Sequence, residues 1–443
     1  MNKSPLPKPT SKLFQVLQKF SSTQLTSFRK YLRSPYFHQT EGVKVLFQYL
    51  RKYHPKYVSR QLDDRVIAQQ LFPKSKNGLK KVQNFKSDLM QHVEQFLVFE
   101  QMKQEPIQQK FLLAKAYQDL GLAKQAKKAI GKAQQVLEKS SAIGLSHLQY
   151  SLDIAHYDYF HPDTHKLFKN PEKLQHLHDQ LDQYYVLAKF KYAYEVNERN
   201  KSQSEQFNLR LWEAVQQLVE TDDQFQAPLP LLLYLKLDQL TAQAHYGEPD
   251  FQALQEQFFQ QLNLLEKEDQ QAIFTYLINY TVRAMDAGQL HFAAIQFALF
   301  QKGLSHHLIV RKNRISIASF LNIISIAATC QAFTWIQEFV ATYQDFLHPI
   351  LKPIVLEIGQ AQIFFHQQKP EKALSILNAI SPIASDLEIV SRPLAIKVLF
   401  ELLLQDPTFE SLLLSQIKSF PQLYKRKYAF SPEKKEAYQN FIA

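Results

Sequence analysis

The chain has 443 residues, 45% of them hydrophobic and 21% charged, which supplies a packed core and excludes wholesale disorder. Only 9 glycines stand beside 33 Phe and 21 Tyr; phosphate-cradling loops, tight hairpins and doubly wound sheets need glycine where backbone turns sharply, so those folds are disfavoured. The single cysteine, Cys330, permits no intramolecular disulfide and no zinc-type Cys/His spacing. With no apolar segment in MNKSPLPKPTSKLFQ that would serve as a secretory signal, the expected location is cytoplasmic.

Charge is uneven. Residues 1–100 hold 18 Lys and Arg against 6 Asp and Glu, a net of +12, while the rest of the chain nets −1. Pro106 cannot continue a helix interior and falls close to that shift. The expected organisation is a disordered tail over residues 1–11, a small basic helical domain over 12–104, and a helical array over 105–443.

Within the basic region the spacing predicts helices from Lys12, from Ser22 with Ser21 or Ser22 as cap and Pro35 as stop, and from Glu41, where Val43, Leu46, Phe47 and Leu50 share a face. Asp63 caps a short helix that stops before Pro73. After the turn KSKNG a long helix follows, with Leu79, Val82, Phe85, Leu89, Val93 and Phe96 expected inward. Its outer side offers Lys80, Lys81 and Asn84. In a helix-turn-helix setting such side chains reach phosphates and base edges, so nucleic-acid binding by this domain is the alternative function. Asp88 on the same face opposes it by repelling phosphate.

Beyond Pro106 the pattern is one of helical hairpins. FLLAKAYQDLGLAKQAKKAIGKAQQVLEKS places Ala114 and Tyr117 on a first helix, Gly121 at the turn, and Ala126, Ile130 and Ala133 on a second; small residues let the helices approach and glycine ends the first. INYTVRAMDAGQLHFAAIQFALF repeats this with Thr281, Ala284, Gly288, Ala293, Phe297 and Phe300. AQIFFHQQKPEKALSILNAI does so with Ala361, Phe364, Ala373, Leu377 and Ile380, and a degenerate copy centres on Phe333, Ile336, Val340 and Tyr343. The equivalent residues Ala293, Ile336 and Ala373 lie 43 and 37 residues apart, periods of helical-repeat arrays. Residues 150–265 read only as generic helices. Residues 315–337 carry no charge, but polar residues recur every third or fourth position and Thr329-Cys330-Gln331 forms a break, which predicts two packed helices in place of a membrane span.

These hairpins resemble the tetratricopeptide repeat, though the early tryptophan is absent, the terminal proline is missing or displaced, and Gln368 stands where glycine is usual. The chain as a whole resembles an uncharacterised all-helical protein family of the Bacteroidota, through LRSPYFHQ, LFPKSKNGLKKVQNFKSDLMQHVEQFL, and the later INY, SFLNII and SFPQLYKRK. Together they imply an all-α, tetratricopeptide-like solenoid behind a basic helical domain, with a further helix or two past Ala443.

The densest polar cluster, DIAHYDYFHPDTHK, contains Asp153, His156, Asp158, His161, Asp163 and His165, but Pro162 interrupts the helix that would align His161 with His165. Cys330 has no histidine nearby to lower its pKa. No catalytic, metal or cofactor site is expected. Binding is, because the first helix of each hairpin in such arrays lines a concave groove for a protein or peptide. There Asn279 and Asn322 take equivalent places to bond peptide backbone, Arg283 takes a carboxylate, and Gln362 and Phe365 complete the surface.

Overall fold

The computed structural model describes residues 11–37, 40–160, 170–202, 207–222, 225, 229–242, 247–380 and 385–427. The expected tail lies outside them except for Ser11. Among the described residues there are twenty α-helices and no strand, so the chain is all-α. It divides into two compact units, Met1–Val136 and Leu137–Ala443. The division falls inside a helix well beyond the proline break that the charge shift had suggested.

The first unit contains α1 (Lys12–Leu17), α2 (Ser22–Arg33), α3 (Glu41–Arg51), α4 (Asp64–Leu71), α5 (Gly78–Met102), α6 (Pro106–Asp119) and most of α7 (Ala123–Glu138). Local chemistry sets its boundaries. Ser21 and Gln24 exchange a capping box at the start of α2, each side chain accepting from the other's backbone N–H at 3.1 and 2.8 Å, and this satisfies two otherwise unpaired donors. Asp63 accepts from Arg65 N–H at 2.9 Å to start α4. The core is aromatic: Phe28 is fully buried, with Phe47 edge-on at 4.9 Å and Phe96 tilted at 5.2 Å. Val82, Leu89, Val93 and Phe96 of α5 face it as expected. Phe85 is half-buried against Phe72, and Leu79, in the first turn of α5, is 40% exposed and does not face inward as expected.

The second unit begins with α8 (Leu145–Phe160), α9 (Pro171–Ser202), α10 (Trp212–Thr221), α11 (Leu229–Ala242) and α12 (Glu248–Gln260). It continues with α13 (Lys267–Asp286), α14 (Phe292–Ser305), α15 (Ile317–Thr329), α16 (Phe333–Tyr343), α17 (Lys352–His366), α18 (Pro370–Ala379), α19 (Ser385–Leu403) and α20 (Glu410–Lys427). From α13 to α16 and again from α17 to α20 consecutive helices pack on one another, and α17 joins the first series by packing on α15. The charge-free segment forms α15 and α16 with a break between them, and among the described residues no helix is long and apolar enough to cross a membrane.

One turn recurs. The helices α6, α13, α15 and α17 each end with a residue in the left-handed region: Gly121 (φ 74°), Gly288 (φ 88°), Gln331 (φ 57°) and Gln368 (φ 57°). The next N–H then reaches back into the last helical turn, from Leu122 to the Tyr117 carbonyl (2.8 Å), Gln289 to Ala284 (3.0 Å), Ala332 to Ala327 (2.9 Å) and Lys369 to Phe364 (2.9 Å). This is the Schellman closure, which satisfies carbonyls that the helix end leaves free. The residues that follow at the equivalent place in the next helix, Ala126, Ala293, Ile336 and Ala373, are all buried. Glycine adopts that backbone without strain, whereas the two glutamines adopt it at a cost.

Candidate functional site

Among the described residues of the second unit, a series of paired polar side chains lies between α9 and α13. Helix α9 presents Lys191, Tyr194, Glu195 and Glu198, spaced as one face of a helix, where an apolar stripe is the usual way to join a core. Facing them from α13 are Asp269, Tyr276, Asn279 and Arg283. Lys191 Nζ lies 3.0 Å from Asp269 Oδ1, and the Tyr234 hydroxyl of α11 donates to the same oxygen at 2.8 Å. Asp269 is completely buried. One turn along, the Tyr276 hydroxyl donates to Glu195 Oε2 at 3.0 Å, with the Tyr194 ring 4.2 Å from that of Tyr276. At the far end Glu198 accepts from Asn279 Nδ2 at 2.8 Å and from Arg283 Nη1 at 2.8 and 2.9 Å.

The electrostatics favour fixed protonation states. Burial pushes the Tyr276 phenol well above its ordinary pKa, and Glu195 adds to the shift by attraction and hydrogen bonding. Burial likewise raises Tyr194, with Glu198 adding to it and Arg283 drawing it partly back. Tyr234 is raised by burial and by Asp269. For Lys191 burial works against the charged form, but Asp269 and Glu268 outweigh it, so its pKa also moves up. The ladder therefore holds neutral phenols and a cationic lysine at neutral pH. It binds three helices to one another, and a neutral amine or a phenolate is not offered.

The expected binding residues part company here. Asn279 and Arg283 both bond Glu198, so the groups assigned to a peptide backbone and a carboxylate are engaged within the chain. Gln362 is 7% exposed, too buried to meet a partner, whereas Asn322 of α15 is exposed and Phe365 is half-buried against Ala361 and Ala373. Of the five, Asn322 alone is exposed. In the first unit Lys80, Lys81 and Asn84 are all exposed on α5, as a phosphate-facing set requires.

The Asp/His cluster divides. His161, Asp163 and His165 lie outside the described residues; Asp158 pairs with Lys173 at 2.6 Å, and His156 packs its ring on Phe160 at 4.6 Å. Among the described residues no group of His, Cys, Asp and Glu is placed to hold a metal. Cys330 caps the end of α15, half-buried, and burial raises its thiol pKa; that opposes the thiolate a nucleophile needs.

Comparison with protein-family models, with curated proteins and with solved structures finds no match. The all-helical architecture agrees with a helical family, and neither the tetratricopeptide nor the Bacteroidota resemblance gains further support from these comparisons.

Proposed function

We propose that the protein is a non-enzymatic helical-repeat scaffold, a tetratricopeptide-like solenoid in a reducing, cytoplasmic setting that works by holding a protein or peptide partner. The observation that carries this reading is the recurrent hairpin turn at Gly121, Gly288, Gln331 and Gln368, supported by the packing of α15 on α17, which brings the first helices of two successive hairpins together. Repetition of one supersecondary unit is how arrays build an extended binding surface. Asn322 and the edge of Phe365 are the groups left for that surface once Glu198 has taken Asn279 and Arg283.

The test is affinity purification of the full chain at native level, beside an Asn322→Ala/Phe365→Leu variant. A stoichiometric partner recovered with the wild type and several-fold less with the variant, at an unchanged melting transition, is the expected result. Equal recovery would move the site elsewhere, and the absence of any stoichiometric partner would sink the scaffold reading.

A second reading, a nucleic-acid-associated regulator, is favoured by one observation: Lys80, Lys81 and Asn84 are exposed together on α5 in a unit with a large basic excess. Lysine and asparagine in that arrangement meet phosphates first and base edges second.

A further inference from the structure

The first unit carries a groove that neither the hairpin array nor the α5 lysines use. It runs between the C-terminal half of α2 and the C-terminal half of α5, with a volume of about 440 Å³. Each wall is a helical stripe: Ser27, Lys30, Tyr31 and Ser34 on one side, then Phe96, Phe99, Glu100 and Lys103 on the other. Tyr31 and Phe96 are buried at its floor, whereas Phe99 is 44% exposed and Phe37 is 37% exposed. Lys30 and Lys103 are exposed on opposite walls of the apolar trough, Lys103 in a pair with Glu100 of its own wall.

We propose that this groove receives an acidic amphipathic helix of a protein partner, its apolar face on the aromatic floor and its carboxylates toward the lysines. Charge complementarity selects that occupant. Residues 1–136 hold 25 Lys and Arg against 8 Asp and Glu, a net of +17, and such a field draws acidic segments and repels basic ones. The spacing of both walls suits a helix laid along the trough, which reads as anchors every third or fourth residue.

The aromatic floor argues for side chains over stacked bases. Tyr31 and Phe37 stack on each other at 4.7 Å, Phe37 and Phe99 tilt together at 5.1 Å, and Tyr31 and Phe96 at 5.8 Å. The stack takes up one ring face each of Tyr31 and Phe37, so fewer open faces remain for a base. A base needs an open face, whereas leucine and phenylalanine side chains pack on edges. The Tyr31 hydroxyl donates to Gln95 at 2.9 Å and pins the floor. Glu100 lies 2.6 Å from Lys103, which offsets its charge within the wall. This surface lies in a different unit from Asn322, so the two binding readings fail separately.

The experiment is selection of random 16-residue peptides displayed on phage against the full chain at physiological salt, followed by binding measurements with the synthetic peptides. Enriched sequences are expected to carry Leu, Phe or Trp at helical spacing among Asp and Glu. Their Kd should rise at least tenfold in Phe37→Ala/Phe99→Ala and several-fold in Lys30→Glu, with the far-ultraviolet circular dichroism unchanged. An Asn322→Ala chain should bind them as the wild type does. Peptides without acidic or apolar spacing, or peptides whose affinity the Lys30→Glu variant leaves untouched, would overturn the proposal. It would likewise fall if the groove variants lost binding of a 20-nucleotide oligothymidylate and not of peptide, or lost a self-association of the chain instead.

Discussion

The two units treat charge in opposite ways. Residues 1–136 net +17, residues 137–443 net −6. In the first, Glu41, Asp64, Glu94 and Glu100 already pair with Lys44, Lys86, Lys12 and Lys103. Eight acids cannot neutralise 25 bases, so most lysines there face solvent, and the core beneath them is aromatic. In the second, Lys191 and Glu198 of α9 turn inward and bond Asp269 and Arg283 of α13. Exposed charge contributes little to stability and much to association; inward charge does the reverse and makes each member of a pair costly to remove.

The largest expected effect is therefore internal to the second unit. Asp269→Ala leaves Lys191 12% exposed beside a lost partner and removes the acceptor of Tyr234; stripping one member of a buried pair costs about 3–5 kcal/mol. The chain has two tryptophans, Trp212 and Trp335, both in this unit, so the urea midpoint followed by tryptophan fluorescence reads the loss there alone. A shift under about 1 kcal/mol would show that the ladder is decoration, since that is the size of an exposed pair.

High pH probes the same contrast more gently. Tyr194, Tyr234 and Tyr276 have folded pKa values raised by burial and by neighbouring carboxylates, whereas an unfolded tyrosine titrates near pH 10. Their contribution is fully present below pH 10 and is lost as pH climbs toward the folded values, because only the unfolded chain then releases protons. In the first unit burial raises Tyr31, and raises Tyr49 and Tyr57 to about 12. Between about pH 10 and 11 every one of these phenols is still protonated in the folded chain, so the fluorescence transition and the remaining circular-dichroism transition are both expected to weaken. A fluorescence transition that holds steady there would show that the second unit does not keep its phenols neutral.

In the first unit the informative change is in binding. With +17 on 136 residues, weak attraction to any polyanion at low salt is expected and decides little. Lys80→Ala/Lys81→Ala should lower the slope of log affinity against log salt by roughly two for nonspecific DNA, one per phosphate contact. Sequence discrimination of roughly a thousandfold at physiological salt, lost on Lys80→Ala/Lys81→Ala/Asn84→Ala, would turn the scaffold reading into the regulator reading.

Much of the local fold is legible in the sequence because its causes are local. Ser21 with Gln24, Asp63 before α4, and the proline at the start of α6 each act within a turn of the residue they cap. The hairpin turns were readable even where glutamine replaces glycine, since the flanking small residues hold the period. What escaped was the partner of Arg283. Glu198 lies 85 residues earlier, in a stretch that reads as featureless helix, and nothing adjacent to Asn279 or Arg283 announces it. The available signal was on α9: Lys191, Tyr194, Glu195 and Glu198 form a polar stripe at helical spacing, and such a stripe buries itself only against polar groups. The first compact unit runs on past Pro106 for a related reason. Lys110, Lys115, Lys124, Lys127, Lys128 and Lys132 carry the excess past Pro106, and Pro106 starts α6 without ending the unit.

The smallest expected effect separates the repeated turn from the rest of each unit. Gln331 and Gln368 hold the left-handed conformation at φ 57°, which costs a residue with a Cβ roughly 1–2 kcal/mol. Glycine removes that strain and gives back about 0.4–1 kcal/mol through its freer unfolded chain, so Gln331→Gly and Gln368→Gly should each stabilise the second unit by about 0.5–1 kcal/mol. The reverse change, Gly288→Ala, meets nothing within 4 Å of the added Cβ, so its expected loss of about 1 kcal/mol is backbone strain alone. Gly121→Ala is equally open and should lower the first unit by the same amount without moving the tryptophan signal. If the two glutamine replacements destabilise, their side chains hold the turn by contacts worth more than the strain, and the four turns would no longer count as one repeated device.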